Sequence, residues 1–244
     1  MRGLGQEGAQ EGPQEGAKEG AKEGGPLARF IEAARRRVAE TLTGVERTRA
    51  TDWDGLAEAI RSGAAYLAQG SVYSYLRART GMAGPRLFQD EGFAFALDIC
   101  KWEGFACAAQ DLILILEGDL RAMDLGPRDR LEESLVALYE AALAREPAPA
   151  HRAKQGWSDV IAEFRLRLAD ALAAPPRKAE DISAATARRL MQHAPVEEAI
   201  RVSDIGMVLN NVGFRFVDYK RRMREDIDYP AIAAAIAARA SDAP

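Results

Sequence analysis

Between Phe88 and Leu120 the chain carries apolar residues on both sides of a helical wheel, and this segment limits what the rest can fold into. Phe88, Phe95, Ile99, Trp102, Ala106, Ile113, Leu116 and Leu120 form one stripe. Phe93, Leu97, Cys100, Gly104, Cys107, Ala108, Leu114 and Ile115 form a second on the opposite side. A helix that is apolar all round must be wrapped by other elements. Asp98, Lys101, Glu103, Asp111 and Glu117 interrupt the segment too often for a membrane span. It is therefore expected to be the central rod of a protein core, with Gly104, Cys107 and Gly118 letting a neighbouring helix approach closely.

The flanking sequence supplies helices to wrap it. Pro26 opens an expected helix to Leu42. Thr51 and Asp54 suggest a cap for the next, whose apolar residues are Trp53, Leu56, Ala57, Ile60, Ala64 and Leu67 and which continues toward Tyr75. Gly63 and Gly70 are expected to weaken that helix, and Gly81 to Pro85 to turn the chain. After the central segment, Pro127 starts a helix with Leu131, Leu135, Leu138 and Ala142 inward. Trp157, Val160, Ile161, Phe164 and Leu168 line another, ended by Pro175-Pro176. Glu180–His193 forms a shorter one, and Val196–Val202 adds a turn or two. Ser203 or Asp204 is expected to cap a helix to about Glu225, and Pro230 to open a terminal one. No alternating strand pattern is present. The fold class expected is all-α, an irregular bundle of about seven or eight helices in a single domain over 26–244.

Ahead of that domain, residues 6–25 repeat [Gln/Lys]-Glu-Gly-[Ala/Pro], with Gly25 closing the last copy. A glycine every fourth residue costs each helical turn about 1 kcal/mol relative to alanine, with no large apolar side chain to compensate. Residues 1–25 are therefore expected to be a disordered tail. Its Gly3-Leu4-Gly5-Gln6-Glu7-Gly8 matches G-x-G-x-x-G without the strand and helix that give the motif meaning, and is read as an accident of the repeat.

With 48% hydrophobic and 29% charged residues the chain has a globular balance, and its net charge of -4 does not favour a polyanion as general partner. The Ala- and Arg-rich usage looks like GC-rich bacterial coding. Cys100 and Cys107 stand two helical turns apart, about 10 Å, too far for a disulfide. Free thiols and the lack of an apolar signal segment after Met1 point to the cytoplasm.

Candidate chemistry is sparse. Asp98 and Asp111 fall inside the two apolar stripes, where a carboxylate is costly unless paired. Each is a ligand contact or acid/base group on one reading. On the other, which is preferred, each is satisfied by Arg, Lys or a helix N-terminus, with Lys101 a local partner for Asp98. His151 and His193 do not form Glu-x-x-His pairs, and with Cys100 and Cys107 they lack zinc-site spacing, so they are read as surface histidines beside core cysteines. No G-x-S-x-G, P-loop or H-E-x-x-H occurs, and Ser71 reads as a packing residue. No metal or cofactor is expected.

The helix ending near Glu225 has a core stripe of Ile205, Val208, Leu209, Val212, Phe216, Tyr219 and Met223. Behind it lie Met207, Asn210, Phe214, Val217 and Arg221, so this helix is either wholly buried or touches a partner with its back face. Arg215, Lys220, Arg221, Arg222 and Arg224 form a candidate basic patch, opposed by Asp218, Glu225, Asp226 and Asp228. The leading expectation is a non-catalytic interaction or accessory protein that binds a protein partner through the Phe214 face, with a homo-oligomer left open. One alternative is a small-molecule-binding or enzymatic protein with a pocket near Trp102. Another is a nucleic-acid or anionic-surface binder using Arg215–Arg224.

Overall fold

A computed structural model describes residues 49–81, 84–121, 123 and 128–242. The repeat of residues 6–25, the Gly3–Gly8 motif, the helix expected from Pro26 to Leu42 and the initiating Pro127 lie outside these residues. The described residues fold as an all-α bundle, with seven longer helices and two single turns. These are α1 (Trp53–Thr80), α2 (Gly84–Leu87), α3 (Glu91–Leu120), α4 (Arg128–Ala144), α5 (Ser158–Ala173), α6 (Ala179–Ile182), α7 (Ala184–His193), α8 (Glu198–Asp226) and α9 (Tyr229–Asp242). The sole extended pairing among them is a parallel bridge between Ala50 and Ile227, which ties the chain ahead of α1 to the α8–α9 junction.

The central rod is α3, and every residue from Glu103 to Glu117 is buried. α1, α4, α5 and α7 all pack on it. Its start differs from the sequence reading, because the Asp90 carboxylate accepts the Phe93 backbone N–H at 2.7 Å and fixes the first turn at Glu91. Phe88 therefore sits in the preceding turn, where its ring meets Tyr73 and Phe93. The first stripe is also open at its N-terminal end, where Phe95 is 58% exposed.

Other boundaries depart from expectation for tertiary reasons. Asp52, one residue after Thr51, caps α1 by accepting from Gly55 N at 2.7 Å. α1 then runs unbroken through Gly63 and Gly70. α8 begins at Glu198 rather than at Ser203 or Asp204. Asp204 is buried inside the helix, bonded by Arg79 and by the Tyr75 hydroxyl at 3.0 Å, so its carboxylate is not available as a cap. The Ser203 hydroxyl turns back to the Ile200 carbonyl at 3.0 Å. Glu180–His193 is two helices instead of one. The Thr186 N–H, which would continue the ladder, is taken by Asp111 of α3 at 3.1 Å, and the chain breaks at Ser183. Gly81, at φ +50, ends α1 in the left-handed region that glycine enters without strain.

The close crossing of α3 and α7 depends on Gly104. A Cβ at this position would overlap Leu190 Cδ2 and meet the Ala68 methyl at 3.4 Å. Helix propensity alone gives Gly104→Ala a gain of about 1 kcal/mol. Overpacking of a filled core costs about 1–3 kcal/mol, and that term is expected to win. Chemical denaturation should therefore show Gly104→Ala less stable than the parent. A more stable variant would mean that α7 does not seat on this glycine.

Candidate functional site

Two regions carry the residues that sequence reasoning singled out. One is a polar stripe along the buried face of α3. Glu103, Cys107, Gln110, Asp111 and Glu117 follow helical spacing, and all are buried. Their partners come from distant parts of the chain. Arg152, in the 3-10 turn Ala150–Arg152, grips Glu103 with Nε at 2.6 Å and Nη2 at 2.7 Å. His151 Nε2 lies 2.9 Å from the same carboxylate, and Arg189 of α7 lies 3.6 Å away. Arg152 continues to Asp159 at 2.7 Å, with its guanidinium 4.7 Å over the Trp157 ring. Further along α3, Arg167 of α5 pairs with Asp111 and donates to Gln110 Oε1 at 2.6 Å. Asp111 also accepts from the Thr186 hydroxyl at 2.6 Å and from the Thr186 N–H. It thereby supplies the cap that Ser183, with no side-chain capping bond, does not provide for α7. Arg121 pairs with Glu117 at 2.6 Å and donates to the Ala171 carbonyl near the end of α5.

The electrostatics follow from this pairing. Burial raises the Glu103 carboxyl, but the hydrogen bonds from Arg152 and His151 outweigh it and bring the pKa down to about 2. For Asp111, wholly enclosed, burial is the largest influence and pushes the carboxyl upward, with Arg167 and Thr186 pulling against it. Burial also holds His193 below its ordinary 6.5 despite the nearby Glu103, and pushes both cysteine thiols up to about 12. Cys100 and Cys107 are free and buried.

The sequence-derived candidates fare differently. Asp111 is satisfied by an arginine and a helix N-terminus. Asp98 is only partly buried and pairs with Lys101 at 2.9 Å. His151 and His193 are not surface residues, since both are half-buried around Glu103. Among the described residues no group of His, Cys, Asp and Glu is arranged to hold a metal ion. Trp102 is packed edge-on against Phe105 and beside Trp157. A shallow open hollow of about 450 Å³ lies elsewhere, between α7 and α8, lined by Gln192, Glu198, Arg201, Val202 and Ile205. Glu103, Gln110, Arg152 and Arg167 were not singled out from sequence. The signal available was the helical spacing of the two α3 residues, but the arginines that complete the network come from 49 and 57 positions away.

The second region is the outer face of α8. Its inner stripe is in the core, with Val208, Val212, Phe216, Tyr219 and Met223 buried and Ile205 and Leu209 packed against them. On the outside Met207 is 51%, Phe214 77% and Val217 40% exposed, with Asn210 and Arg221 exposed beside them. The neighbouring cations are mostly engaged. Arg215 donates to Ser74 at 2.6 Å, and Lys220 pairs with Asp119 at 2.7 Å, with Arg224 3.8 Å from the same carboxylate. Arg221 and Arg222 share Asp218 at 2.6 and 3.0 Å. This pairing with acids leaves a mixed surface rather than a uniformly cationic one. Among the described residues no helix is long and apolar enough to cross a membrane. No family model, curated protein or solved structure matches the chain.

The stripe around Glu103 makes acid sensitivity a measurable property. Below about pH 6.5 the unfolded chain protonates its histidine before folded His193 does, so stability is present above that pH and falls below it. The Glu103 contribution, on the order of 3 kcal/mol, is present above pH 4.5 and is lost as pH falls toward about 2. The raised Asp111 carboxyl acts in the opposite sense, so the His193 contribution is read as the difference between the thermal midpoints of the parent and of His193→Asn. That difference should shrink as pH falls from 7 to 5, and a constant difference would contradict the burial of His193.

Proposed function

We propose that this chain is a non-catalytic interaction protein that docks a protein partner on the outer face of α8, through Met207, Asn210, Phe214, Val217 and Arg221. The observation that carries the reading is the 77% exposure of Phe214, midway along a long helix whose opposite face is fully committed to the core. Scattered single apolar residues on a surface need no explanation, but three large ones aligned on one helix face form a patch of the kind that marks interaction sites. The competing site supports chemistry poorly. The carboxylate oxygens of Glu103 and Asp111 already face arginine, histidine or threonine donors, so neither acid is held ready for a substrate. The paired state of Arg221, Arg222 and Lys220 favours a protein partner over a polyanion. Two free, buried thiols support a reducing, cytoplasmic setting.

The test separates surface from core. Replacing Phe214 and Val217 together by serine is expected to change folding stability by less than about 1 kcal/mol, as for exposed positions. The same change is expected to abolish recovery of the partner that the parent protein retains. Substituting Arg221, Arg222 and Arg224 by glutamine should leave that recovery largely intact. Loss of several kcal/mol in the serine variant would show the face to be structural, and retention that depends only on the arginines and collapses with salt would favour an anionic ligand.

A further inference from the structure

Glu103 stands at the centre of a cluster drawn from four parts of the fold. α3 contributes the carboxylate, and the Ala150–Arg152 turn contributes His151 at 2.9 Å and Arg152 at 2.6 Å. α7 contributes Arg189 at 3.6 Å and its last residue, His193. From α5, Asp159 pairs with Arg152 at 2.7 Å and Glu163 with Arg189 at 2.5 Å. Three carboxylates therefore face two arginines, and the histidines decide the net sign. With both neutral the cluster carries one negative charge. One proton balances it, and a second makes it positive. His151 touches Glu103, so a cation there is answered directly. At His193 burial is the largest influence against a proton. Arg189, His151 and Arg152 add to it, and Glu103 pulls the other way.

His193 also lies where α7 stops. Pro195 has no N–H and keeps Ala194 out of the helical region, at ψ 131, so the helix ends one residue earlier. α8 starts at Glu198 with no side-chain bond from Glu197. Upstream, Thr186 on Asp111 and Leu190 against Gly104 pin α7 to α3. Downstream, the hollow of about 450 Å³ lined by Gln192, Glu198 and Arg201 leaves the end of α7 open on its α8 side. A helix C-terminus ordinarily favours a cation, but Arg201 already donates to the Gln192 carbonyl at 2.7 Å. From this arrangement we infer that residues 191–197 form an acid-operated hinge, in which a proton on His193 releases the last turn of α7 from the Glu103 cluster. In the released turn the imidazole is solvated and titrates at its ordinary 6.5. Opening is therefore least above that pH and grows below it, by at most about tenfold per pH unit for one proton taken up. The rest of α7 stays on α3, so the event is local and not an unfolding of the whole domain. The hinge stands independently of the docking surface on α8.

Native-state hydrogen exchange of the full chain at pH 7.5 and 5.5, expressed as protection against the intrinsic rate at each pH, reads the opening. The amides of Met191, Gln192, His193 and Val196 are expected to lose protection several-fold, up to about tenfold, on acidification. Amides of residues 108–112 in α3 report unfolding of the whole domain and should not fall with them. His193→Asn should remove the loss, and His151→Asn should retain it. A loss that survives His193→Asn would overturn His193 as the sensor. An equal loss in α3 would show a global effect and overturn the hinge. If His193→Asn does not fold, the parent decides alone, because unchanged protection at the end of α7 between the two pH values overturns the inference.

Discussion

A carboxylate at the centre of a buried helix has to be answered by a donor, and the packing around α3 is organised by that requirement. Asp111 is fully enclosed, and taking an isolated carboxylate out of water costs several kcal/mol or more. Its partners come from two helices at once, Arg167 from α5 and Thr186 from α7. Glu103, two turns earlier, binds Arg152 from the turn before α5 and lies near Arg189 from α7. The two acids therefore set where α5 and α7 sit along α3. These pairs are made in one register only, the same register in which Leu190 of α7 seats closely against Gly104.

Much of the fold could be read from the sequence because it rests on local patterns. The two-sided apolar wheel of Phe88–Leu120 identified the buried rod, and the inner stripe of α8 was visible as Val208, Val212, Phe216 and Tyr219. The readings that failed were those in which a local signal had a distant partner. Asp204 looks like a helix cap, but Tyr75 and Arg79, 129 and 125 positions away, bury it within α8. Gly63 and Gly70 look like helix breakers. In the fold they leave room for Tyr219 and Arg215 of α8 to lie against α1. His151 looks like a surface residue until Glu103 is found beside it.

The candidate site was legible in part for the same reason. The outer residues of α8 could be picked out on a wheel, but whether they were core or surface depended on what packs against the helix. Phe214 and Phe216 are two residues apart, one 77% exposed and the other wholly buried. That contrast gives the helix two jobs, one face holding the domain and the other presented outward. Exposed positions of this kind are expected to tolerate substitution, whereas removing a buried acid of α3 alone leaves its arginine unpaired.

The dependence of the bundle on those acids is tested most directly at Asp111. Asp111→Ala leaves Arg167 buried without its carboxylate and the Thr186 N–H without an acceptor, and equilibrium denaturation should show a loss of about 3–5 kcal/mol. Replacing both partners, Asp111→Leu with Arg167→Met, removes the orphaned charge and should recover most of that loss. If Asp111→Ala alone unfolds like the parent, or the double change merely adds the two single losses, then apolar packing sets the register of α5 and α7 and the buried acids do not.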